Sequence, residues 1–137
     1  MKLKTQTQAP LQELATSLEG QRVAMLTLND QQGQLVSQPM TPQEMDETGA
    51  LWMMVSQGNT ADRVGPGGAD GNLSFSDERR ASYVSISGRV TLVDDLERKR
   101  ALWSSMARPW FPGGPEDPTL LLLRLEQQTE ANSKFSL

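Results

Sequence analysis

The alternation of apolar and polar residues is clearest in one segment, residues 82–93. Its apolar residues fall on one face, at Val84, Ile86, Val90 and Leu92. A period of two with β-branched residues predicts a half-buried strand. Gly88 interrupts the apolar face, which predicts either a bulge or a close approach of another backbone.

Five other segments are predicted to be strands, because each is a short run rich in apolar or β-branched residues and bounded by turn residues. They are residues 22–29, 34–41, 50–56, 72–77 and 119–128. The loop 29–33 joins the first two as a hairpin, whereas residues 42–49 are expected to form a loop. Pro39 favours an edge or a bulge, and the segment 50–56 is apolar enough to be buried on both faces.

Two longer helices are predicted around these strands. Pro10 suits the first turn of a helix that ends near Gly20. The second helix begins at Asp94 or Asp95 and extends to about Met106.

The order of these elements predicts the fold class. Residues 107–118 contain four prolines and two glycines, so no regular structure is expected there. Six strands in mostly hairpin order, with flanking helices, predict a mainly β fold and a small closed antiparallel barrel. We expect one domain over residues 1–137, with residues 1–9 as a disordered N-terminal tail and residues 129–137 as a short C-terminal tail.

Composition removes several classes of function. The chain has 137 residues, a formal net charge of −4, and neither cysteine nor histidine. Disulfides, Ser-His and Cys-His catalysis and most transition-metal sites are therefore excluded. The negative charge argues against nucleic-acid binding, and no apolar run approaches the ~20 residues that span a bilayer. We expect a cytoplasmic protein with no nucleic-acid partner, no membrane partner and no bound metal.

The junction between a strand and a helix after Ser56 is the first candidate site. A short helix is expected from about Asn59, and it should stop near Val64 because the glycine-rich stretch 65–71 cannot continue it. Ser56, Asn59 and Thr60 are small hydrogen-bonding residues, and the start of the helix presents free N–H groups to an anion. The alternative is that Asn59 or Thr60 only caps the helix.

Two adjacent aromatic residues, Trp110 and Phe111, form a second candidate because they lie on a proline-rich loop. Leaving both rings in water is unfavourable, so the chain's own core, a second subunit or a flat ligand is expected to cover them. The pattern "SQPM", residues 37–40, is a third candidate, although a solvent-facing strand also explains it. The acidic loop 43–49 has no spacing that favours a metal site or an acid–base pair.

Six short segments together carry a resemblance to a known family. Their order and spacings make the set more specific than any single segment. They are "VAMLTL" (23–28), "SQPM" (37–40), "LWMMVS" (51–56), "NLSFSD" (72–77), "YVSISGRV" (83–90) and "WFPGGPEDPTLLLLRLE" (110–126). Over residues 11–128 this set resembles the general stress protein branch of the pyridoxamine 5′-phosphate oxidase-like, FMN-binding split-barrel family. The resemblance implies a homodimer of six-stranded antiparallel split β-barrels, with two FMN sites at the subunit interface.

The resemblance also implies which residues bind the cofactor. The isoalloxazine ring and the ribityl chain would lie against two strand segments, formed by Ser37, Gln38, Pro39 and Met40 and by Met53, Met54, Val55 and Ser56. The phosphate would lie at Asn59 and Thr60. The partner's Trp110 and the partner's Phe111 would help to close the site.

Two departures from the family pattern weaken the implied phosphate site. Gln38 stands where relatives place an arginine, and Ala61 stands where they place a lysine. A charge-assisted hydrogen bond contributes roughly 1.5–3 kcal/mol against ~1 kcal/mol for a neutral one, so losing two would weaken FMN binding by about two to three orders of magnitude. Arg63 is the expected replacement cation. Residues 65–71 would either wrap the phosphate as a nest of N–H groups or form only a flexible surface crossing.

The function that the resemblance implies is an FMN-binding flavoprotein, acting as a low-specificity oxidoreductase on a small-molecule redox substrate in the stress response. No catalytic side chain is expected, since the flavin itself carries the hydride or electron chemistry. The alternative is a cofactor-free or ligand-sensing dimer that keeps the barrel without oxidoreductase activity. A tetrapyrrole ligand is a third interpretation, but the absence of histidine argues against the commonest haem ligation.

Overall fold

A computed structural model describes residues 1–128 and 132–136 of the chain. Over these residues the strands are β1 (Lys2–Leu3), β2 (Ala24–Asn29), β3 (Leu35–Met40), β4 (Glu44–Met45), β5 (Leu51–Ser56), β6 (Ala69–Asp77), β7 (Ser82–Val93), β8 (Leu120–Gln127) and β9 (Ser133–Ser136). The α-helices are α1 (Ala9–Ser17), α2 (Asn59–Val64) and α3 (Leu96–Leu102). Two 3₁₀ turns follow α3, at Ser105–Ala107 and Gly114–Glu116.

The strands form one sheet in the order β1-β4-β5-β8-β7-β6-β2-β3, and β9 pairs with β7. All pairs are antiparallel except β1 with β4. Six long strands make a mainly β split barrel, as predicted. The expectation of a closed barrel is wrong, because no ladder joins β3 to β1 within residues 1–128. There α2 packs on β5 and is tied to β3 by hydrogen bonds between Thr60 and Gln38.

The main core fills the inside of the barrel. Inward-facing residues alternate along β2, β6 and β7, as the period of two predicts, and they include Leu26, Leu73, Phe75 and Ile86. The buried face of α1 closes this core. Burying these side chains fully contributes roughly 1.5–3 kcal/mol each, which is the main stabilisation of a barrel of this size.

A second, smaller core lies on the opposite face of β5. It consists of Trp52, Leu102 and Leu122, with Met54 and Val93 packed against it. Because Met53 faces the main core and Trp52 the smaller one, β5 is buried on both faces, as its apolar sequence predicted.

The ends of α3 differ in how well the sequence predicts them. The Asp95 carboxylate accepts a hydrogen bond from the Glu97 N–H at 3.0 Å, which confirms the predicted cap. The helix ends at Leu102 rather than near Met106, because the Ser104 hydroxyl accepts the Met106 N–H at 3.2 Å and starts a separate 3₁₀ turn. A second 3₁₀ turn also lies inside the segment that was expected to be irregular.

Described residues near both chain ends take part in the sheet. Residues 1–9 are not a disordered tail, because the Lys2 N–H donates to the Gln43 carbonyl at 2.9 Å and the Lys4 N–H donates to the Met45 carbonyl at 3.0 Å. This pairing also turns part of the expected loop 42–49 into β4. Within the predicted C-terminal tail, residues 133–136 pair with β7. The rest of that prediction, for residues 129–131 and 137, lies outside the described residues.

None of the helices in the described part of the chain has the length and the apolar character needed to cross a bilayer.

Candidate functional site

A cavity of about 810 Å³ lies between the two sides of the split. One wall consists of residues 39–43, which end β3 and lead to β4. The opposite wall comes from the end of β5 and the start of α2, and the segment 102–111 covers a third side. A volume of 300–1,000 Å³ is typical of small-molecule sites.

A pair of hydrogen bonds fixes the polar end of the cavity. The Gln38 side-chain N–H donates to the Thr60 hydroxyl oxygen at 2.7 Å, and the Thr60 hydroxyl donates to the Gln38 side-chain oxygen Oε1 at 3.0 Å. Thr60 lines the cavity, whereas Gln38 stands behind it and orients it. This contact joins β3 to α2 across the split.

The start of α2 is capped by the backbone of Gly58, not by a side chain. Gly58 has a φ of 96°, a conformation that glycine adopts without strain, and no side chain accepts a hydrogen bond at this end of the helix. The capping role considered for Asn59 or Thr60 is therefore wrong. Both residues line the cavity instead, together with Ser56.

The two aromatic residues of the loop have opposite environments. Phe111 is 5% exposed and is covered by its own chain, which is the first of the three alternatives considered for these rings. Trp110 is 71% exposed. Both rings line the cavity of their own chain, so the structure brings them together with Asn59 and Thr60.

Asp117 holds the aromatic loop in place. Its carboxylate accepts the Thr119 N–H at 2.9 Å, the Gly113 N–H at 2.9 Å and the Thr119 hydroxyl at 2.7 Å. These hydrogen bonds, led by the one from the Thr119 backbone, keep the pKa of Asp117 below its ordinary value. The proline-rich sequence therefore forms a defined loop around one carboxylate.

Replacing Asp117 with alanine is expected to loosen this loop while the barrel stays folded. The N–H groups of Gly113 and Thr119 lose their acceptor, so their hydrogen exchange should accelerate by about tenfold. Exchange measured by NMR checks this, with Glu116→Ala as the control, since Glu116 forms only an exposed ion pair with Arg100. Equal protection in both variants would contradict the anchoring role.

Three of the predicted site residues are not brought to the cavity. The Ser37 hydroxyl lies 2.7 Å from the Thr27 hydroxyl on the neighbouring strand. Met53 is fully buried in the main core. Arg63 is outside the residues that line the cavity, and its carbonyl accepts a hydrogen bond from Gln31. The remaining predicted residues other than Gln38 line the cavity: Pro39, Met40, Met54, Val55, Ser56, Asn59, Thr60, Trp110 and Phe111.

The glycine-rich stretch has a structural role away from the cavity. Gln31 donates to the Val64 carbonyl at 2.9 Å, and Arg89 donates to the Gly67 carbonyl at 2.8 Å. Gly68, with a φ of 81°, then leads directly into β6. Residues 65–71 contribute nothing to the cavity lining, so they do not form the nest, and the exposure of Pro66, Gly67 and Asp70 agrees with the surface crossing.

Two cationic residues that were not predicted from the sequence, Lys2 and Arg22, also line the cavity. Lys2 reaches it because β1 pairs with β4. Arg22 precedes β2 by two residues, next to the end of β3, where Ala24 pairs with Met40. No local pattern marks either residue, since their position depends on pairing between distant segments.

The family model described as "Pyridoxamine 5'-phosphate oxidase like" matches residues 9–132 of the chain. The chain belongs to this family. The match includes every wall of the cavity except the N-terminal strand β1.

The chain is also similar to individual proteins. General stress protein 26 of Bacillus subtilis is 34% identical over 47 residues, which is 34% of this chain and only 33% of that protein. A solved structure from a Jannaschia species, also named for general stress protein 26, has 30% identity and a TM-score of 0.66, over 82% of this chain and 69% of that one. The general stress FMN/FAD binding protein of Xanthomonas citri has 27% identity and a TM-score of 0.71, over 88% of this chain and 83% of that one.

The structure supplies no cation at positions 38 and 61, where the sequence has Gln38 and Ala61. The neutral amide of Gln38 is already bonded to Thr60, and Ala61 is buried, with 5% exposure. A cation at position 61 would therefore have to leave the buried side of α2 before it could reach the cavity.

Proposed function

We propose that this protein is a homodimeric flavoprotein that binds FMN in the cavity and exchanges hydride or electrons with a small-molecule substrate in the stress response. The observation that carries the proposal is the cavity itself, which has aromatic and apolar walls and a polar end fixed by Gln38 and Thr60. Support comes from the relative in Xanthomonas citri, which is named as an FMN/FAD binding protein.

The residues present fit a flavin in three respects. Apolar surface for a flat ring is available from Met54, Trp103 and Trp110. Hydroxyl and amide groups at the other end suit a ribityl chain and a phosphate. No carboxylate lines the cavity among the described residues, so a phosphate there meets no like charge.

The protein's part in the chemistry is binding and orientation. When bound, a flavin supplies the hydride or electron transfer itself. Met54 and Val55 would support the ring, the Ser56 hydroxyl would contact the ribityl chain, and Asn59 and Thr60 would donate to the phosphate. The Gln38 amide N–H, which donates to the Thr60 hydroxyl oxygen at 2.7 Å, positions that oxygen, and the one hydroxyl hydrogen would turn from the Gln38 side-chain oxygen to the phosphate.

Exposed apolar side chains beside the cavity support the dimer. Trp110 and Met106 are 71% and 70% exposed, and both line the cavity. A second copy that covers them would remove apolar surface from water and close the site. Light scattering should therefore give the mass of a dimer.

Substituting valine for Thr60 is expected to weaken binding of the flavin phosphate and to leave binding of the rest of the flavin nearly unchanged. The variant keeps the shape of the side chain but loses a neutral hydrogen bond of ~1 kcal/mol, so the Kd for FMN should rise about fivefold and the Kd for riboflavin less than about twofold. Quenching of tryptophan fluorescence measures both constants, since Trp103 and Trp110 line the cavity. Thr27→Val is the matched control, because it breaks a similar hydroxyl pair, with Ser37, outside the cavity.

The wild-type protein decides between this function and the alternative. A yellow protein, or saturable quenching at micromolar FMN, supports the flavoprotein. A colourless dimer that ignores millimolar FMN and riboflavin would contradict it and favour a cofactor-free barrel.

A further inference from the structure

The charge of the cavity is opposite to the charge of the protein. The chain carries 17 carboxylates and 13 cationic side chains. Among the described residues, however, the charged side chains that line the cavity are Lys2 and Arg22, both positive. Neither forms an ion pair with a carboxylate of residues 1–128 or 132–136. The cavity therefore presents two cations that are not neutralised by those residues.

Both cations lie beside the wall formed by residues 39–43, where the Lys2 N–H donates to the Gln43 carbonyl at 2.9 Å. Lys2 lies in β1, opposite Glu44 of β4. The Glu44 carboxylate is directed instead to Arg98, at 3.3 Å, so it does not pair with Lys2. Arg22 lies just beyond the last pair of the β2–β3 ladder, formed by Ala24 and Met40.

The backbone of Arg22 lies away from the polar end at Thr60. Thr60 contacts Gln38, which pairs with Leu26, whereas Arg22 lies four residues farther along the same strand direction. At ~3.3 Å per residue, about 13 Å separates the backbone of Arg22 from the backbone of Leu26, which lies opposite Gln38. The phosphate of a flavin held at Thr60 would therefore lie away from Arg22 and would not neutralise it, which leaves the two cations available to the acidic group of a second ligand.

We propose that Lys2 and Arg22 bind the acidic group of the substrate, and that the protein acts on small, flat or apolar molecules that carry a carboxylate, sulfonate or phosphate. This inference rests on the proposed function for the chemistry that follows binding. Trp103, Met106 and Trp110 supply apolar surface in the same cavity. The combination selects acids over uncharged molecules of the same shape.

Two fluorescent probes of nearly the same shape test the charge selectivity without any flavin. 1-Anilinonaphthalene-8-sulfonate carries an acidic group, and N-phenyl-1-naphthylamine lacks it. In the double variant Lys2→Gln/Arg22→Gln the Kd of the sulfonate should rise about tenfold, and that of the neutral probe should change less than about twofold. The control, Lys4→Gln/Arg79→Gln, removes the same charge outside the cavity and should leave both constants unchanged.

The outcomes separate this inference from the proposed function. Equal effects on both probes, or no effect, would overturn it. The inference would also be overturned if the Lys2→Gln/Arg22→Gln variant bound FMN more weakly but bound riboflavin as the wild type does. The cations would then hold the phosphate of the cofactor. A wild-type protein that binds neither flavin but prefers the sulfonate probe through Lys2 and Arg22 would support the anion site while the proposed function fails.

Discussion

Replacing Gly88 with alanine is expected to destabilise the fold by about 3 kcal/mol or more. Gly88 lies where β7 pairs with both β6 and β8. A Cβ atom there would overlap the carbonyl oxygen of Glu126 and lie 2.8 Å from its carbonyl carbon. Backbone atoms cannot turn aside as a side chain can, so the β7–β8 ladder would have to separate at this point. Urea denaturation followed by far-ultraviolet circular dichroism measures the loss.

Gly67→Ala is the matched control for this prediction. A Cβ atom at Gly67 meets nothing within 4 Å, and the residue does not adopt the left-handed conformation. Its free energy of unfolding should stay within ~0.5 kcal/mol of the wild type. A Gly88→Ala variant as stable as Gly67→Ala would show that the two strands do not approach as closely as the structure indicates.

Gly88 also shows what the sequence alone predicts well. The alternation along β7 gave its bounds, its buried face and the position of the close approach, because all three depend on neighbouring residues. The short helix α2 was predicted for the same reason, with a polar start and a stretch of glycine and proline that ends it. The split in the barrel was not predicted from the strand pattern, since the pattern contains no information on which strands fail to pair.

The residues of the candidate site were predicted less completely. Met53 and Met54 are adjacent in a strand that is buried on both faces, so alternation cannot tell which of them faces the cavity. The hydrogen bonds between Gln38 and Thr60 join segments 22 residues apart. Lys2 reaches the cavity only through the β1–β4 pair. These contacts depend on the packing of distant segments, which local periodicity does not specify.

The acidic loop before β5 contains the other substitution with a large expected effect, Asp46→Ala. Asp46 is 3% exposed, and its carboxylate accepts the Trp52 indole N–H at 2.9 Å and the Ala50 N–H at 3.0 Å. It also accepts the N–H and the hydroxyl of Thr48 at 2.8 and 2.6 Å. Alanine leaves two buried donors, on Ala50 and Trp52, without an acceptor, at a cost of roughly 1–3 kcal/mol each. We therefore expect a loss of about 3–4 kcal/mol in urea denaturation, a large part of the 5–15 kcal/mol typical of a domain.

The same carboxylate makes part of the stability depend on pH. Burial by itself raises the pKa of Asp46, but the hydrogen bonds from Thr48, Trp52 and Ala50 together outweigh it and keep the pKa below the ordinary 3.8. A lowered pKa in the folded state stabilises the protein above the unfolded value, and this contribution is lost as the pH falls through the folded value. The difference in free energy of unfolding between the wild type and Asp46→Ala should thus be constant above about pH 5 and shrink below pH 4.

Glu47→Ala, an exposed neighbour in the same loop, should change stability by less than ~0.5 kcal/mol at any pH. If the two variants lost stability equally, or if the Asp46→Ala difference grew as the pH fell, the carboxylate would not be holding Trp52 against the barrel in its ionised form.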